Sequence, residues 1–192
     1  MIKKRIVILA VLVLFCEVAD SQRNNTRVKI KHIRDVPYMP ELQKDCPDSI
    51  YWALVKEGLD IIPTLINCID ITDSTQIIIP NWGGHYTIGD IAFSIICDII
   101  HGLPLQDFFR KGIIDTLHPI TYHSFICSSK GNRRILQHQL RKWYKENQRH
   151  LVWVRDNSTW RIANDCWLKT NKHPAGGYYF IDYQKVIIKT DE

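Results

Sequence analysis

The sequence predicts a mainly helical, α+β chain with a small antiparallel β-element at its C-terminal end. Three observations predict this. Apolar residues recur at helical spacing through residues 88–100 and 135–144. Glycines and prolines stand where helices start and stop. The aromatic and β-branched runs "HLVWV" and "YYFIDYQKVII" follow the last helical segment. With 192 residues, 45% of them hydrophobic, the chain can bury one core and is short for two. Residues 46–192 are expected to form a single domain.

The first 21 residues have a different character. "MIKKR" is a basic start, and "IVILAVLVLFC" is an apolar run too short to span a bilayer. Ala19 and Ser21 are small residues ahead of Gln22. The pattern is that of a signal peptide cleaved near Ser21/Gln22, so a periplasmic or extracellular location is expected. No transmembrane segment is expected in the mature chain. Cleavage removes Cys16 and leaves Cys46, Cys68, Cys97, Cys127 and Cys166, an odd number without a C-x-x-C pair. Residues 22–45 are polar and basic, carry two prolines, and are expected to form an extended arm.

"CPDSIYWALVKEG" reads as a helix, with Pro47 in the first turn and Gly58 just past the end. In "LDIIPTLINCIDITD", Asp60 is placed to cap a second helix and Pro63 falls in its first turn, where amides lack helical partners anyway. Ile62, Leu65, Ile66 and Ile69 share one face. "STQIIIPN" favours an extended segment.

"PNWGGHYTIGDIAF" then raises a choice. The glycines and the helix start suggest either a backbone cradle for an anion or a turn followed by a cap. Thr87 and Asp90 have capping-box spacing, Asp90 would repel an anion, and no lysine follows the glycines. The turn and cap are therefore expected. The helix that follows is apolar on most sides, hence central, and "HGLP" ends it with Gly102 and Pro104. "PLQDFFRKG" reads as a short helix. "GNRRILQHQLRKWYKENQ" reads as an amphipathic one, with Ile135, Leu136, Leu140, Trp143 and Tyr144 inward. Arg133, Arg134, Arg141, Lys142 and Lys145 are expected on its other faces, as a solvated surface. "HLVWV", "WRIA" and "YYFIDYQKVII" are the expected strands.

"GLDIIPTLINCI" and "YTIGDIAFSIICDIIHG" together resemble the helix pair of a HEAT-type repeat. That resemblance implies HEAT-like helical hairpins over about residues 58–102. More broadly, "YWALVKEGLDIIPTLI", "PNWGGHYTIGDIA", "RKWYKENQRHLVWV" and "HPAGGYYF" look like parts of an uncharacterised family of exported bacterial proteins. The "DSQ" junction is similar to signal peptides of Bacteroidota. The resemblance implies export and no particular activity.

The composition and motifs narrow the function. A formal charge of +5, spread along the chain, makes nucleic acid an unlikely partner. Cys97 and His101 are one helical turn apart, but the thiol lies in an apolar helix and the imidazole sits at a helix end. His118, His123 and Cys127 carry zinc-type donors, although Pro119 interrupts them and their spacing is no known ligand frame. Asp70, Asp73, Asp90 and Asp98 give no sign of converging as an acid–base pair. "NNT" at Asn24 and "NST" at Asn157 match the glycosylation sequon, which counts only in a host with that machinery. "GGHY" at 83–86 and "GGYY" at 176–179 are similar Gly-Gly turns followed by aromatics. If the loops meet, Trp82, His85, Tyr86, His173, Tyr178 and Tyr179 form one ligand-binding aromatic surface. The expected function is therefore a non-enzymatic binding or interaction module for a protein, peptide or glycan, without metal or cofactor. The alternative is a small hydrolase with a Cys/His or His-lined metal site.

Overall fold

The computed structural model describes residues 31–37, 39, 50–79, 83–108, 126, 129–156 and 175–182. The expected signal peptide and the strand expected at "WRIA" lie outside them. Helix covers 59% and strand 19% of the described residues, so the class is α+β.

Within the segment expected to be an extended arm, residues 31–34 form a helical turn, α1. Ile33, Val36 and Met39 recur every third residue and are all buried. Arg34 and Asp73 form an exposed ion pair at 2.7 Å nearby. Helix α2 (Ile50–Lys56) ends at Gly58, whose φ of 63° suits glycine. A 3₁₀ turn (Gly58–Ile61) leads straight into α3 (Ile62–Cys68). Asp60 lies inside that turn and is not the cap. The preceding turn already supplies helical backbone, and Pro63 falls in the first turn of α3 as expected.

Strands β1 (Ser74–Ile78) and β2 (His85–Thr87) pair as an antiparallel hairpin. Gly83 and Gly84 precede β2 with φ of 71° and 84°. The sequence reading placed a turn here but not the second strand. "HYT" is too short to show an alternation of its own.

Thr87 ends β2 and caps α4 (Ile88–Ile99). Ile88, Ile91, Ala92, Ile95, Ile96 and Ile99 are at most 2% exposed, which makes α4 the centre of the core. It packs on α2 and α3, and the buried isoleucines of α3 meet it. Each such side chain contributes about 1.5–3 kcal/mol through burial. Gly89 allows the closest approach. A Cβ there would run into the backbone carbonyl oxygen of Ile69, at the C-terminal end of α3.

After a 3₁₀ turn (Leu105–Phe108), α5 (Lys130–Asn147) crosses α3. Ser129 caps α5 by accepting from the Asn132 amide at 3.1 Å. Leu136 and Leu140 are buried as expected, and Trp143 meets Phe108 edge-on. Two expectations for this helix are corrected. Ile135 is 47% exposed, and Arg133 is buried. The reason is electrostatic. Arg133 pairs with the buried Asp90 carboxylate at 2.6 Å, and α5 turns further donors toward the carbonyl oxygens at the C-terminal end of α3. Gln137 Nε2 donates to Ile66 O, Asn67 O and Asp70 Oδ1, and Arg141 donates to Asn67 Oδ1.

The last described elements are β3 (Leu151–Arg155) and β4 (Gly177–Ile181), an antiparallel pair in continuous register. Ile100 adds a parallel bridge to Tyr179, so the chain leaving α4 lies beside β4.

Candidate binding surface

The two glycine–aromatic segments occupy opposite ends of α4. Tyr86 lies two residues before the helix starts, whereas Tyr178 and Tyr179 contact the residues just after it ends. Twelve helical residues span about 18 Å, so among the described residues His85 and Tyr86 stand at one end of α4 and Tyr178 and Tyr179 at the other. Trp82 and His173 lie outside the described residues.

At the N-terminal end, Tyr86 is 8% exposed and its carbonyl accepts from Thr75 Oγ1 at 2.8 Å. Its ring belongs to the core. His85 is exposed and pairs in register with Ile78, which is 64% exposed. The capping box is complete. The Asp90 amide donates to Thr87 Oγ1 at 3.2 Å, and Asp90 Oδ2 accepts from the Thr87 amide at 2.8 Å. The other carboxylate oxygen, Oδ1, accepts from Arg133 at 2.6 Å, and both side chains are 3% exposed. Arg133 also reaches Ile69 O at 3.5 Å. This end of the helix is thus closed by its own side chains, as a turn and cap rather than an anion cradle.

The C-terminal end is built differently. In the β3–β4 pair, directly opposed residues share a face. Trp153 and Tyr179 lie on one face and meet edge-on at 5.1 Å. Val152 and Val154 lie on the other, opposite Phe180 and Tyr178. Gly177 has no room for a side chain, because a Cβ would meet Val154 O and the Trp153 ring.

Two glycines with positive φ seat this hairpin. Tyr179 packs against Gly58, and Phe180 packs against Gly102, whose φ is 73°. The His101 ring stacks on Tyr178 with centroids 3.8 Å apart and an interplanar angle of 13°. The His101 amide donates to Tyr179 O at 2.9 Å. Burial holds the imidazole below its ordinary pKa, against the opposing pull of the Asp156 carboxylate. Tyr144, whose hydroxyl donates to Leu59 O at 3.1 Å, has its pKa raised by burial and then by Asp60 and Tyr179.

Both faces of the hairpin make contacts, and two large apolar side chains keep much of their surface in solvent. Trp153 is 49% exposed and Phe180 is 40% exposed. The sequence reading missed both as site residues. No signal in "HLVWV" singled out Trp153, because four consecutive apolar residues do not show which face stays in solvent.

The other candidate chemistries fare as follows. Asp70 accepts from Gln137, Asp73 pairs with Arg34, Asp90 pairs with Arg133, and Asp98 accepts from the Tyr51 hydroxyl at 2.6 Å. Each carboxylate is engaged separately. Cys97 is half-buried in α4, and His101 directs its ring to Tyr178. Cys68 is buried, and burial followed by Asp70 pushes its thiol up to about 12, which suits neither a nucleophile nor a metal ligand. His118, His123 and Cys127 lie outside the described residues. Among the described residues no group of three His, Cys, Asp or Glu side chains could hold a metal ion. None of the described helices is long and apolar enough to cross a membrane. Comparison of the chain with protein-family models, curated proteins and solved structures found no match.

Proposed function

We propose that this is an exported binding module that recognises a glycan or peptide through the aromatic hairpin β3–β4. Trp153 carries the proposal, because it keeps 49% of its surface exposed while its partner strand is fixed to α4. Large aromatics on a rigid support bind well because little conformational freedom is lost when they meet a ligand. Tyr178 and Phe180 lie on the opposite face of the hairpin, seated on His101 and Gly102, and so help to hold the strand that carries Tyr179 beneath Trp153. His85 at the other end of α4 belongs to a separate surface.

Export rests on the basic, apolar and small-residue pattern of residues 1–21, with cleavage near Ser21/Gln22. Kinship with exported bacterial proteins and a HEAT-like character of the α3/α4 pair are parts of the same reading. Support for the latter is that the two helices pack directly together, although a β-hairpin separates them in the chain. In such a scaffold the helices supply rigidity and an appended element supplies contact.

The test is retention on immobilised chito-oligosaccharides and on immobilised peptidoglycan stem peptides. A chain carrying Trp153→Ala should lose retention at least tenfold relative to the parent, about the effect of removing one hot-spot aromatic. Equal retention of parent and variant on every matrix that holds the parent would refute the assignment.

A further inference from the structure

The outer face of α5 supports a second interaction surface, independent of the aromatic hairpin. At 3.6 residues per turn, Arg134, His138, Arg141, Lys142, Lys145 and Arg149 fall in one stripe about 100° wide. All six are exposed. The stripe lies opposite the face that buries Arg133, Leu136 and Leu140, and it runs about 20 Å into the following 3₁₀ turn (Gln148–His150). Glu146, the one acid of the helix, stands at its margin.

Part of the basic character of α5 serves the fold. Arg133 is consumed in the buried pair with Asp90, and Arg134 and Arg141 lean toward Asp70 and Asn67. Even so, Arg134 remains 66% exposed. Lys142, Lys145 and Arg149 point to solvent. Five fixed cations in a row on a rigid rod repel one another, which an opposing anionic surface relieves.

We infer that this stripe docks the protein on a bilayer surface carrying anionic phospholipids. Two observations favour that partner over nucleic acid. The aromatics of α5 that could stack on bases, Trp143 and Tyr144, are turned inward against Phe108 and the Leu59 carbonyl. At the margin of the stripe, Ile135 is 47% exposed and can enter the headgroup layer beside the cations. The attachment is peripheral and electrostatic, because the apolar face of α5 is already committed to the core.

The test is sedimentation of the full chain with vesicles of phosphatidylglycerol and phosphatidylcholine, and with vesicles of phosphatidylcholine alone. The second set measures any contribution from the apolar N-terminal run. Binding should be stronger to the anionic vesicles in low salt and should fall in high salt. The triple variant Lys142→Gln, Lys145→Gln and Arg149→Gln should lose about fivefold per cation, on the order of a hundredfold together. Its helical circular dichroism should match the parent, since these side chains are exposed. Ile135→Ser should weaken binding without changing its salt dependence. Equal binding to both vesicle types, unchanged binding by a folded triple variant, or tighter binding to a short DNA duplex than to anionic vesicles would overturn the inference.

Discussion

Asp90 does three jobs with two oxygens. It accepts from the Thr87 amide and hydroxyl through Oδ2, and it neutralises Arg133 through Oδ1. Removing one member of a buried pair leaves a charge without its counterion. Arg133→Met should therefore cost about 3–5 kcal/mol in urea unfolding, and Asp90→Asn in that background should recover part of the loss. The capping role of Asp90 was legible in the sequence, because capping is local and has fixed spacing. The role of Arg133 was not, since it depends on a helix that arrives 43 residues later. Helical periodicity sorts residues by polarity, and an arginine whose partner is distant sorts to the wrong face.

His101 carries a pH dependence. Burial lowers its pKa from 6.5, so the folded chain binds this proton less readily than the unfolded one. The stabilisation is complete above pH 6.5 and declines as pH falls below it, through the lowered value. Urea midpoints measured on either side of that window should drop toward acid. His101→Phe, which keeps a ring on Tyr178, should flatten this part of the profile. An unchanged slope in the variant would assign the dependence to other groups.

The β3–β4 hairpin is fixed at the level of elements. Helix α4 ends at Ile99, where Ile100 turns extended, and Gly102 in the turn that follows receives the Phe180 ring, 2.9 Å from where a Cβ would stand. Gly102→Ala meets both a positive φ and that ring, and should destabilise by about 1–3 kcal/mol. Hydrogen exchange of the His101 amide should accelerate in the same variant, because its acceptor Tyr179 O belongs to the displaced strand. The helices α2 to α5 and the strands β1, β3 and β4 could be read from periodicity and breakers. Strand β2 and the helical turn α1 could not. Three residues of strand show no alternation, and the buried Ile33, Val36 and Met39 are diluted among charged neighbours.

Over the whole molecule, α4 separates two ends of different character. One end is closed by Thr87, Asp90 and Arg133, and the other carries the hairpin with Trp153 about half exposed. Local sequence identified aromatic loops but could not say that a 12-residue helix stands between them. The similarity of "GGHY" and "GGYY" pointed to one surface, whereas the described residues of the two segments stand at opposite ends of that helix. The distinction between them is burial. Tyr86 turns inward under the β1–β2 hairpin, whereas the β3–β4 hairpin keeps Trp153 at the surface.

The most direct measurement is the indole N–H resonance of Trp153, assigned with Trp153→Phe, during titration with chito-oligosaccharide or stem peptide. This signal should shift with the bound fraction while that of Trp52, 5% exposed in the core, stays in place. Saturable binding that leaves the Trp153 resonance unmoved would contradict the proposed binding surface.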